Sequence, residues 1–190
     1  MDCDIENHLK HFPNAAIQVV NERIYGIWMV GNFFKRTKDY HGSYPPSYVK
    51  RCKTLFPGHK NLLHLFSGMV DKEIGEKTFD INPKLSMDYG NVEELSRYFK
   101  PDSFDFVLAD PPYNKTNALI YGCAKMPRMH LVMQELHKIV VTGGICIWLC
   151  TSPPLYKKTQ WSLKGLIGLH TGTNRCFRAV VIMQRLATLE

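Results

Sequence analysis

The segment Asp110-Pro111-Pro112-Tyr113 holds the residue types in this sequence that best suit a chemical step. An exocyclic amine on adenine or cytosine is a poor nucleophile, because its lone pair is delocalised into the ring. The carboxylate of Asp110 and the carbonyl of Pro111 can accept hydrogen bonds from such an amine, and consecutive prolines fix the direction of that carbonyl. The ring of Tyr113 offers a flat face on which a flipped base can stack. These residues predict a site that orients and activates the amino group of a nucleobase.

The same tetrapeptide also has a purely structural interpretation, as a turn that its prolines stiffen. At about 5% usage for each residue type, it would arise by chance in a chain of this length about once in a thousand sequences. It directly follows the apolar run Phe104–Ala109, which predicts a strand. In open α/β sheets, ligands bind beyond the carboxyl ends of the strands, so this position favours a functional site.

The tetrapeptide resembles the base-binding motif of the amino-methyltransferases that modify N6 of adenine or N4 of cytosine in DNA. The resemblance extends over residues 42–183 and implies S-adenosylmethionine as the cofactor, DNA as the partner, and Asp110, Pro111, Pro112 and Tyr113 as the catalytic residues. The aspartate form of the motif is more typical of adenine enzymes, since cytosine enzymes more often carry serine there. Short phage or prophage enzymes of this kind are similar, and the chain shows no recognisable target-recognition domain.

Two further segments resemble the cofactor site of this family. Phe66-Ser67-Gly68, preceded by a short apolar run, is similar to the cofactor-binding turn, which implies that all three residues contact the cofactor. Val70 stands where the family has a second glycine, and valine does not readily adopt a positive φ. Asp80 matches the acidic residue that binds the ribose hydroxyls. A carboxylate suits this task because it can accept hydrogen bonds from both hydroxyls of a diol.

The remaining cofactor residues are implied by two looser matches. Asn91 lies in a segment similar to the family's third motif, where an acidic residue accepts a hydrogen bond from the adenine amine of the cofactor. The side-chain oxygen of Asn91 can still accept, and Asp88 is the competing candidate for the same role. Tyr44 and Pro46 lie in a segment that resembles the one closing over the methionine part of the cofactor, which implies a cofactor contact for both.

Two other functions are compatible with the sequence. The same chemistry can act on adenine in RNA or on N4 of cytosine in DNA, and only the aspartate at position 110 discriminates among these substrates, weakly. Alternatively, the chain is a catalytically inactive protein with a methyltransferase fold that binds nucleic acid or protein. Val70 and Asn91 depart from the family's pattern and favour the inactive form, whereas the intact segment 110–113 favours an enzyme.

Apolar runs place these motifs on an alternating α/β pattern. Strands are predicted at residues 24–30, 62–66, 78–81, 104–109, 145–150, 166–169 and 177–183, and the last two are predicted to form an antiparallel hairpin. Helices are predicted after Pro46 and over residues 127–140, the second ending before Gly143-Gly144. Together with the resemblance, this predicts an α/β fold with a Rossmann-like class I methyltransferase sheet, mostly parallel with a C-terminal antiparallel hairpin.

The connections between the early strands are too short for full helices. A parallel crossover that contains a helix usually takes at least about 10–12 residues, and only residues 67–77 separate the strands at 62–66 and 78–81. We therefore expect trimmed first crossover helices and a bare apolar face. The N-terminal segment or a second subunit would have to cover that face, so a homodimer is an expectation. A single domain over residues 1–190 is expected, with an N-terminal extension at 1–41 and a catalytic core at 42–183.

Composition and charge suggest a partner for this domain. The formal net charge of +7 suits binding to nucleic acid, because lysine and arginine displace counterions from phosphates. A run of bases interleaved with aromatic residues is a candidate for tracking a phosphate backbone; it comprises Phe33, Phe34, Lys35, Arg36, Lys38 and Tyr40. No cysteine pair has the spacing of zinc ligands, so no metal site is expected. No apolar run approaches the about 20 residues that span a bilayer, and no secretion signal is recognisable, so we expect a cytoplasmic protein without a membrane partner.

Overall fold

The computed structural model describes residues 2–31, 44–70, 73, 75–86, 88–172 and 177–188. These residues form one nine-stranded sheet with helical segments on both faces. Within these ranges, no helix is long and apolar enough to cross a membrane. The predicted phosphate-tracking run at positions 33–40 lies outside the described residues.

The described elements follow one another along the chain in alternating groups of strands and helices. The strands are β1 Ala16–Val20, β2 Arg23–Met29, β3 Leu62–Leu65, β4 Lys77–Asp80, β5 Asp88–Tyr89, β6 Phe104–Ala109, β7 Val140–Cys150, β8 Trp161–His170 and β9 Arg178–Arg185. The helices are α1 Ile5–His11, α2 Tyr48–Leu55, α3 Lys115–Ile120 and α4 Met129–Ile139, and a 3-10 helix spans Val92–Arg97.

The strands lie in the order β1-β2-β8-β9-β7-β6-β3-β4-β5. Strands β5, β4, β3, β6 and β7 are parallel to their neighbours within this set. Strand β9 lies antiparallel between β7 and β8, and β2 pairs in parallel with the other side of β8. The prediction of a mostly parallel sheet with a C-terminal antiparallel hairpin is confirmed.

The sheet changes direction between β3 and β6. The chain leaves β3 toward β4 and β5, and then returns to form β6 on the other side of β3. The described residues between β3 and β4, and between β4 and β5, contain no helix, as the short connections predict. The carboxyl ends of β3 and β6 therefore flank the kind of crevice in which open α/β sheets bind their ligands.

Strand β6 is buried on both faces, which explains its nearly unbroken apolar sequence. Phe106 and Leu108 belong to the core cluster that includes residues of α2, whereas Val107 and Ala109 belong to the cluster that includes residues of α4. Packing on both sides restrains the strand, and with it the backbone of the residue that follows, Asp110. The tight core thus fixes the start of the predicted catalytic segment.

The N-terminal residues, whose sequence has no clear pattern, cover part of one face and extend one edge of the sheet. Helix α1 packs on α2, where the Asp4 N–H donates to the Leu55 carbonyl at 2.8 Å. In the same contact, the Nδ1 atom of His8 lies 2.8 Å from the Thr54 hydroxyl. Trp28 on β2 is fully buried among residues of α2 and β8. The N-terminal segment therefore supplies cover for the sheet, and its strands belong to the same sheet as the expected core.

The structure corrects the position of Gly143-Gly144. Helix α4 ends at Ile139 and β7 begins at Val140, so both glycines lie within the strand and not in a break between helix and strand. The register between β6 and β7 shifts at this point, and Gly143 has a φ of 78°. Glycine adopts that conformation without the penalty of a Cβ atom, which is why β-bulges often contain it.

Candidate functional site

A cavity of about 350 Å³ lies at the carboxyl ends of β3, β4 and β6. The turn after β3, the residue that ends β4, the segment after β6 and the first residue of β9 all contribute to its wall. The described residues that line it are Tyr44, Phe66, Ser67, Gly68, Asp80, Ile81, Gly90, Asn91, Val92, Glu93, Asp110, Pro111, Pro112, Tyr113, Tyr121, Cys123, Ala124, Lys125, Pro127 and Arg178. The fold therefore brings the predicted cofactor turn and the predicted catalytic segment into one cavity.

The turn after β3 is fastened to the end of β4 by Asp80. One carboxylate oxygen accepts a hydrogen bond from the Gly68 N–H at 2.9 Å, and the other accepts from the Asn82 N–H at 3.0 Å. The turn adopts left-handed backbone conformations at Phe66 (φ 56°) and Gly68 (φ 51°), and Val70 is not among the positive-φ residues. The positive φ that valine disfavours is therefore not required at position 70.

Ser67 presents an unsatisfied polar atom to this cavity. Its side-chain hydroxyl is buried and has no hydrogen-bond partner among the described residues. A buried hydroxyl without a partner is costly, and a polar ligand in the cavity would remove that cost. Next to it, Asp80 is only 5% exposed yet lines the same cavity with a carboxylate that can accept further hydrogen bonds. These two side chains fit the sugar part of a nucleoside such as S-adenosylmethionine.

Two of the expected cofactor residues lie outside the lining. Asp88 is on β5, where its carboxylate lies 4.0 Å from the Lys77 ammonium, and Pro46 precedes α2. Asn91 does line the cavity, but its side-chain oxygen caps the 3-10 helix by accepting from the Glu93 N–H at 3.0 Å. The edge of the cavity near the 3-10 helix is thus formed by Asn91, and Asp88 does not contribute to it.

Tyr44 lines the cavity from the segment before α2. Its hydroxyl donates a hydrogen bond to the Leu108 carbonyl of β6 at 3.1 Å, and its ring stacks on Tyr48 with the ring centroids 5.3 Å apart. Burial raises the pKa of the Tyr44 phenol well above its ordinary value, with a smaller contribution from Asp110. Tyr44 therefore joins the segment before α2 to the strand that carries the predicted catalytic segment.

The predicted catalytic segment carries a short chain of hydrogen bonds. The Tyr113 hydroxyl donates to Asp110 Oδ1 at 2.5 Å. An Arg178 N–H donates to the same Tyr113 oxygen at 3.0 Å, and its guanidinium carbon lies 5.8 Å from the centroid of the Tyr113 ring. Pro111 and Pro112 are buried beneath these side chains. Strand β9 thus contributes Arg178 to a site that the sequence predicts from residues 110–113 alone.

Opposing effects set the ionisation of Asp110. Burial raises the pKa of its carboxyl from 3.8 to about 6, whereas the Tyr113 hydrogen bond and the Arg178 charge lower it. Burial also raises the pKa of the Tyr113 phenol, so this side chain stays a neutral hydrogen-bond donor. At neutral pH, Asp110 is predominantly an ionised acceptor, as the proposed handling of an amine requires.

Glu93 lines the cavity and binds Arg128. One of its carboxylate oxygens accepts from the Arg128 backbone N–H at 2.7 Å, and the other accepts two bonds from the Arg128 guanidinium at 2.6 and 3.1 Å. These contacts fasten the 3-10 helix to the segment before α4, which includes the cavity-lining residues Lys125 and Pro127. The Arg128 guanidinium lowers the pKa of Glu93 and keeps it ionised.

Sequence reasoning missed Glu93 and Arg178 at this site. Arg178 contacts Tyr113 across 65 positions of the chain, and Glu93 contacts Arg128 across 35. The sequence gives one weak indication of Arg178, because this residue is a cation at the start of the otherwise apolar strand 178–183. No comparable signal marks Glu93, since acidic residues are common in the first turn of a helix.

Comparison with known proteins identifies structures with a similar fold. No model of a known protein family matches the chain. A demethylmenaquinone methyltransferase from Lysinibacillus sphaericus (strain C3-41) is 30% identical over 80 residues, which cover 42% of this chain and 29% of that protein. The structure of TrmN from Thermus thermophilus matches 77% of this chain and 50% of its own, with a TM-score of 0.54 and 17% identity. The chain has a Rossmann-like methyltransferase fold.

The matches cover only part of the proteins compared. The chain spans 29% of the length of the curated relative and half the length of TrmN. A further match is the structure of SMU.776 complexed with SAH, at 11% identity over 90% of this chain and 56% of that one, with a TM-score of 0.47. The methyltransferase fold agrees with the position of the cavity at the change of direction between β3 and β6.

Proposed function

We propose that this chain is an S-adenosylmethionine-dependent methyltransferase that acts on the exocyclic N6 amine of adenine in DNA. The observation that carries the proposal is one cavity in which Asp80 and the Ser67 hydroxyl, which has no partner among the described residues, face the same space as Asp110 and Tyr113. The first pair suits a nucleoside cofactor and the second pair suits a planar amine. Their union in one methyltransferase fold supports transfer of a methyl group between the two ligands.

The cofactor side of the cavity has the polar groups that S-adenosylmethionine needs. Asp80 would accept hydrogen bonds from the ribose hydroxyls, and Ser67 would satisfy its own hydroxyl on the same ligand. Phe66, Gly68 and Tyr44 would enclose the rest of the molecule. When bound, S-adenosylmethionine supplies an electrophilic methyl group on a sulfonium centre.

The substrate side of the cavity prepares the amine as a nucleophile. The Asp110 carboxylate and the Pro111 carbonyl would accept the two N–H groups, which localises the nitrogen lone pair. The Tyr113 ring would stack on the base and hold its plane. Most of the gain comes from fixed position and preformed dipoles, because this mechanism needs no covalent intermediate on the protein.

The substrate class is tested by offering the protein both DNA and RNA. The protein is incubated with methyl-labelled S-adenosylmethionine and separate pools of DNA and RNA, which are then digested to nucleosides for mass spectrometry. Label in N6-methyldeoxyadenosine supports the proposal. Label in N4-methyldeoxycytidine or in RNA adenosine reassigns the substrate, and cofactor binding without transfer to any pool rejects a nucleic-acid substrate. Asp110→Ala is the matched variant, since it leaves Asp80 and Ser67 in place.

A further inference from the structure

The Tyr113 hydroxyl occupies one of the two oxygens of the Asp110 carboxylate. It donates to Oδ1 of Asp110 at 2.5 Å, which is a short hydrogen bond to a carboxylate. A base amine that binds Asp110 would also approach as an N–H donor. The hydroxyl therefore fills Oδ1, and an amine that binds to this oxygen takes the place of the hydroxyl.

Arg178 gives the displaced hydroxyl a second partner. Its guanidinium N–H donates to the Tyr113 oxygen at 3.0 Å, and this bond does not depend on Asp110. The guanidinium carbon also lies 5.8 Å from the centre of the Tyr113 ring, within the range of a cation–π contact. When the Tyr113 hydroxyl leaves Asp110, Arg178 still holds the ring, so the stacking surface stays in place.

We propose that the Tyr113 hydroxyl is a placeholder for the substrate amine on Asp110, and that Arg178 is a positioning residue that retains Tyr113 when the amine takes over. The inference rests on the proposed function and adds a selection rule to it. The substrate must present an N–H donor to Asp110, because a substrate atom that carries negative charge would meet a carboxylate with no donor left between them. The exchange also keeps Asp110 satisfied in the free protein.

The placeholder predicts an unusual response to Tyr113→Phe. The variant keeps the ring but frees Asp110, so the amine no longer has to break a hydrogen bond. Binding of an adenine-containing single-stranded oligonucleotide, measured by calorimetry with S-adenosylhomocysteine present and at mildly alkaline pH, should tighten about fivefold, the equivalent of one hydrogen bond. If the hydroxyl instead contacted the substrate directly, the same variant would bind more weakly, and that result overturns the proposal.

A double-mutant cycle tests the part played by Arg178. Arg178→Met should weaken binding of the same oligonucleotide about fivefold in the wild-type background and by less in the Tyr113→Phe background, where only the contact with the ring remains. Arg185→Met is the matched control, because Arg185 lies at the other end of β9 and bonds to Asp102 at 2.7 Å. An equal loss in both backgrounds would mean that Arg178 acts on the substrate itself, and would refute a positioning role.

A measurement on the free protein separates failure of this inference from failure of the proposed function. Titration of the Asp110 carboxyl by carbon-13 NMR needs no substrate, and its midpoint should move to higher pH in Tyr113→Phe and in Arg178→Met but not in Arg185→Met. Unchanged midpoints in the first two variants overturn the inference. If the midpoints move but wild-type protein binds S-adenosylhomocysteine and no oligonucleotide, the proposed nucleic-acid substrate is wrong and the placeholder for a base amine is rejected with it.

The other groups that face Asp110 do not confuse this titration. Burial raises the pKa of each of them well above its ordinary value, so they stay neutral while Asp110 titrates; they are Tyr44, Tyr48 and Cys150. The charge of Arg178 lowers the pKa of Asp110. A shift of the midpoint therefore reports on the Tyr113 hydrogen bond and the Arg178 charge.

Discussion

Asp110 combines partial enclosure with two neighbours that stabilise its charge. Replacing it with alanine removes the acceptor for the amine but leaves the turn after β3 and the Asp80 carboxylate unchanged. We expect Asp110→Ala to bind S-adenosylhomocysteine with wild-type affinity in calorimetry and to lose transfer activity by about 100-fold or more, the usual effect of removing a preorganised electrostatic contact. Wild-type turnover in this variant would refute the role of Asp110.

The same residue predicts the acidic limb of the pH profile. The ionised carboxylate is the stronger acceptor for the amine N–H, and burial raises the pKa of Asp110 to about 6. The ratio kcat/KM should therefore rise with pH, bend near that value and stay level above it, falling about tenfold for each pH unit further into acid. A profile that is flat through this region would contradict the assignment. The Tyr113→Phe variant should show the bend at higher pH.

Asp80 and Asp88 offer a matched pair for the cofactor site. Both are acidic residues on neighbouring strands, but only Asp80 lines the cavity and holds the Gly68 N–H. Asp80→Ala should weaken S-adenosylhomocysteine binding at least about tenfold, since it removes hydrogen bonds to charged oxygens and loosens the turn. Asp88→Ala should leave the dissociation constant unchanged. Equal losses in the two variants would show that the cofactor lies elsewhere.

At the residue scale, the sequence predicted those cavity residues that belong to local motifs next to strands. Phe66, Ser67 and Gly68 directly follow a strand, and Asp80 ends the next strand, so parallel pairing alone brings them together. Asn91 also reaches the cavity. Arg178 could not be placed from the sequence, because its role depends on the antiparallel insertion of β9 next to β7 and on a side-chain direction that no local pattern contains.

At the element scale, the Glu93–Arg128 contact holds two short segments that lack the support of a long helix. Glu93→Gln should loosen the wall before α4 and speed release of S-adenosylhomocysteine, which stopped-flow fluorescence can measure. An increase of about threefold to tenfold corresponds to one charge-assisted hydrogen bond. Glu94→Gln is the control, because Glu94 pairs with Arg97 on the surface and does not line the cavity. Equal rates for wild type and Glu93→Gln would contradict the tether.

Helix α1 depends on a histidine that is buried as the neutral form. Burial, helped by the Arg51 charge, lowers the pKa of His8 from 6.5 to about 4. Between these two pKa values, the His8 ring takes up a proton more readily in the unfolded chain than in the folded one. Neutral His8 therefore stabilises the fold fully above pH 6.5, and this stabilisation is lost as the pH falls toward about 4. Amide hydrogen exchange in residues 5–11 should accelerate over that interval. Unchanged protection of these amides would contradict a buried neutral His8. His11 lies on the same helix but is exposed, so a variant of His11 is the control.

The lengths of elements were harder to predict than their presence. Strand β8 begins at Trp161, five positions before the predicted start, because Lys164 and Gly165 hide the alternation at a register shift. Helix α1 and strand β1 have no clear pattern in the sequence, since α1 is one short amphipathic segment and β1 is a largely exposed edge strand. Their positions follow from contacts with α2 and β2, which are tertiary and not local.

At the scale of the whole molecule, the buried strands made the fold predictable. Strands β6 and β7 have long apolar runs because both faces of the sheet are covered there, and those runs identified them. The trimmed crossovers followed from residue counts between strands. The addition of β1 and β2 beyond β8 could not be inferred, because nothing in the sequence of residues 16–29 indicates which edge of the sheet they join.

The pairing of β2 with β8 also sets an order for assembly during synthesis. Ile24 lies opposite Gly165, so one partner leaves the ribosome long before the other exists. The β1–β2 hairpin can form early from neighbouring residues, but Trp28 stays without its full covering until the last quarter of the chain has emerged. Long-range pairings of this kind slow folding and leave apolar edges open to other chains. The nascent hairpin therefore keeps apolar surface exposed until β8 has been synthesised.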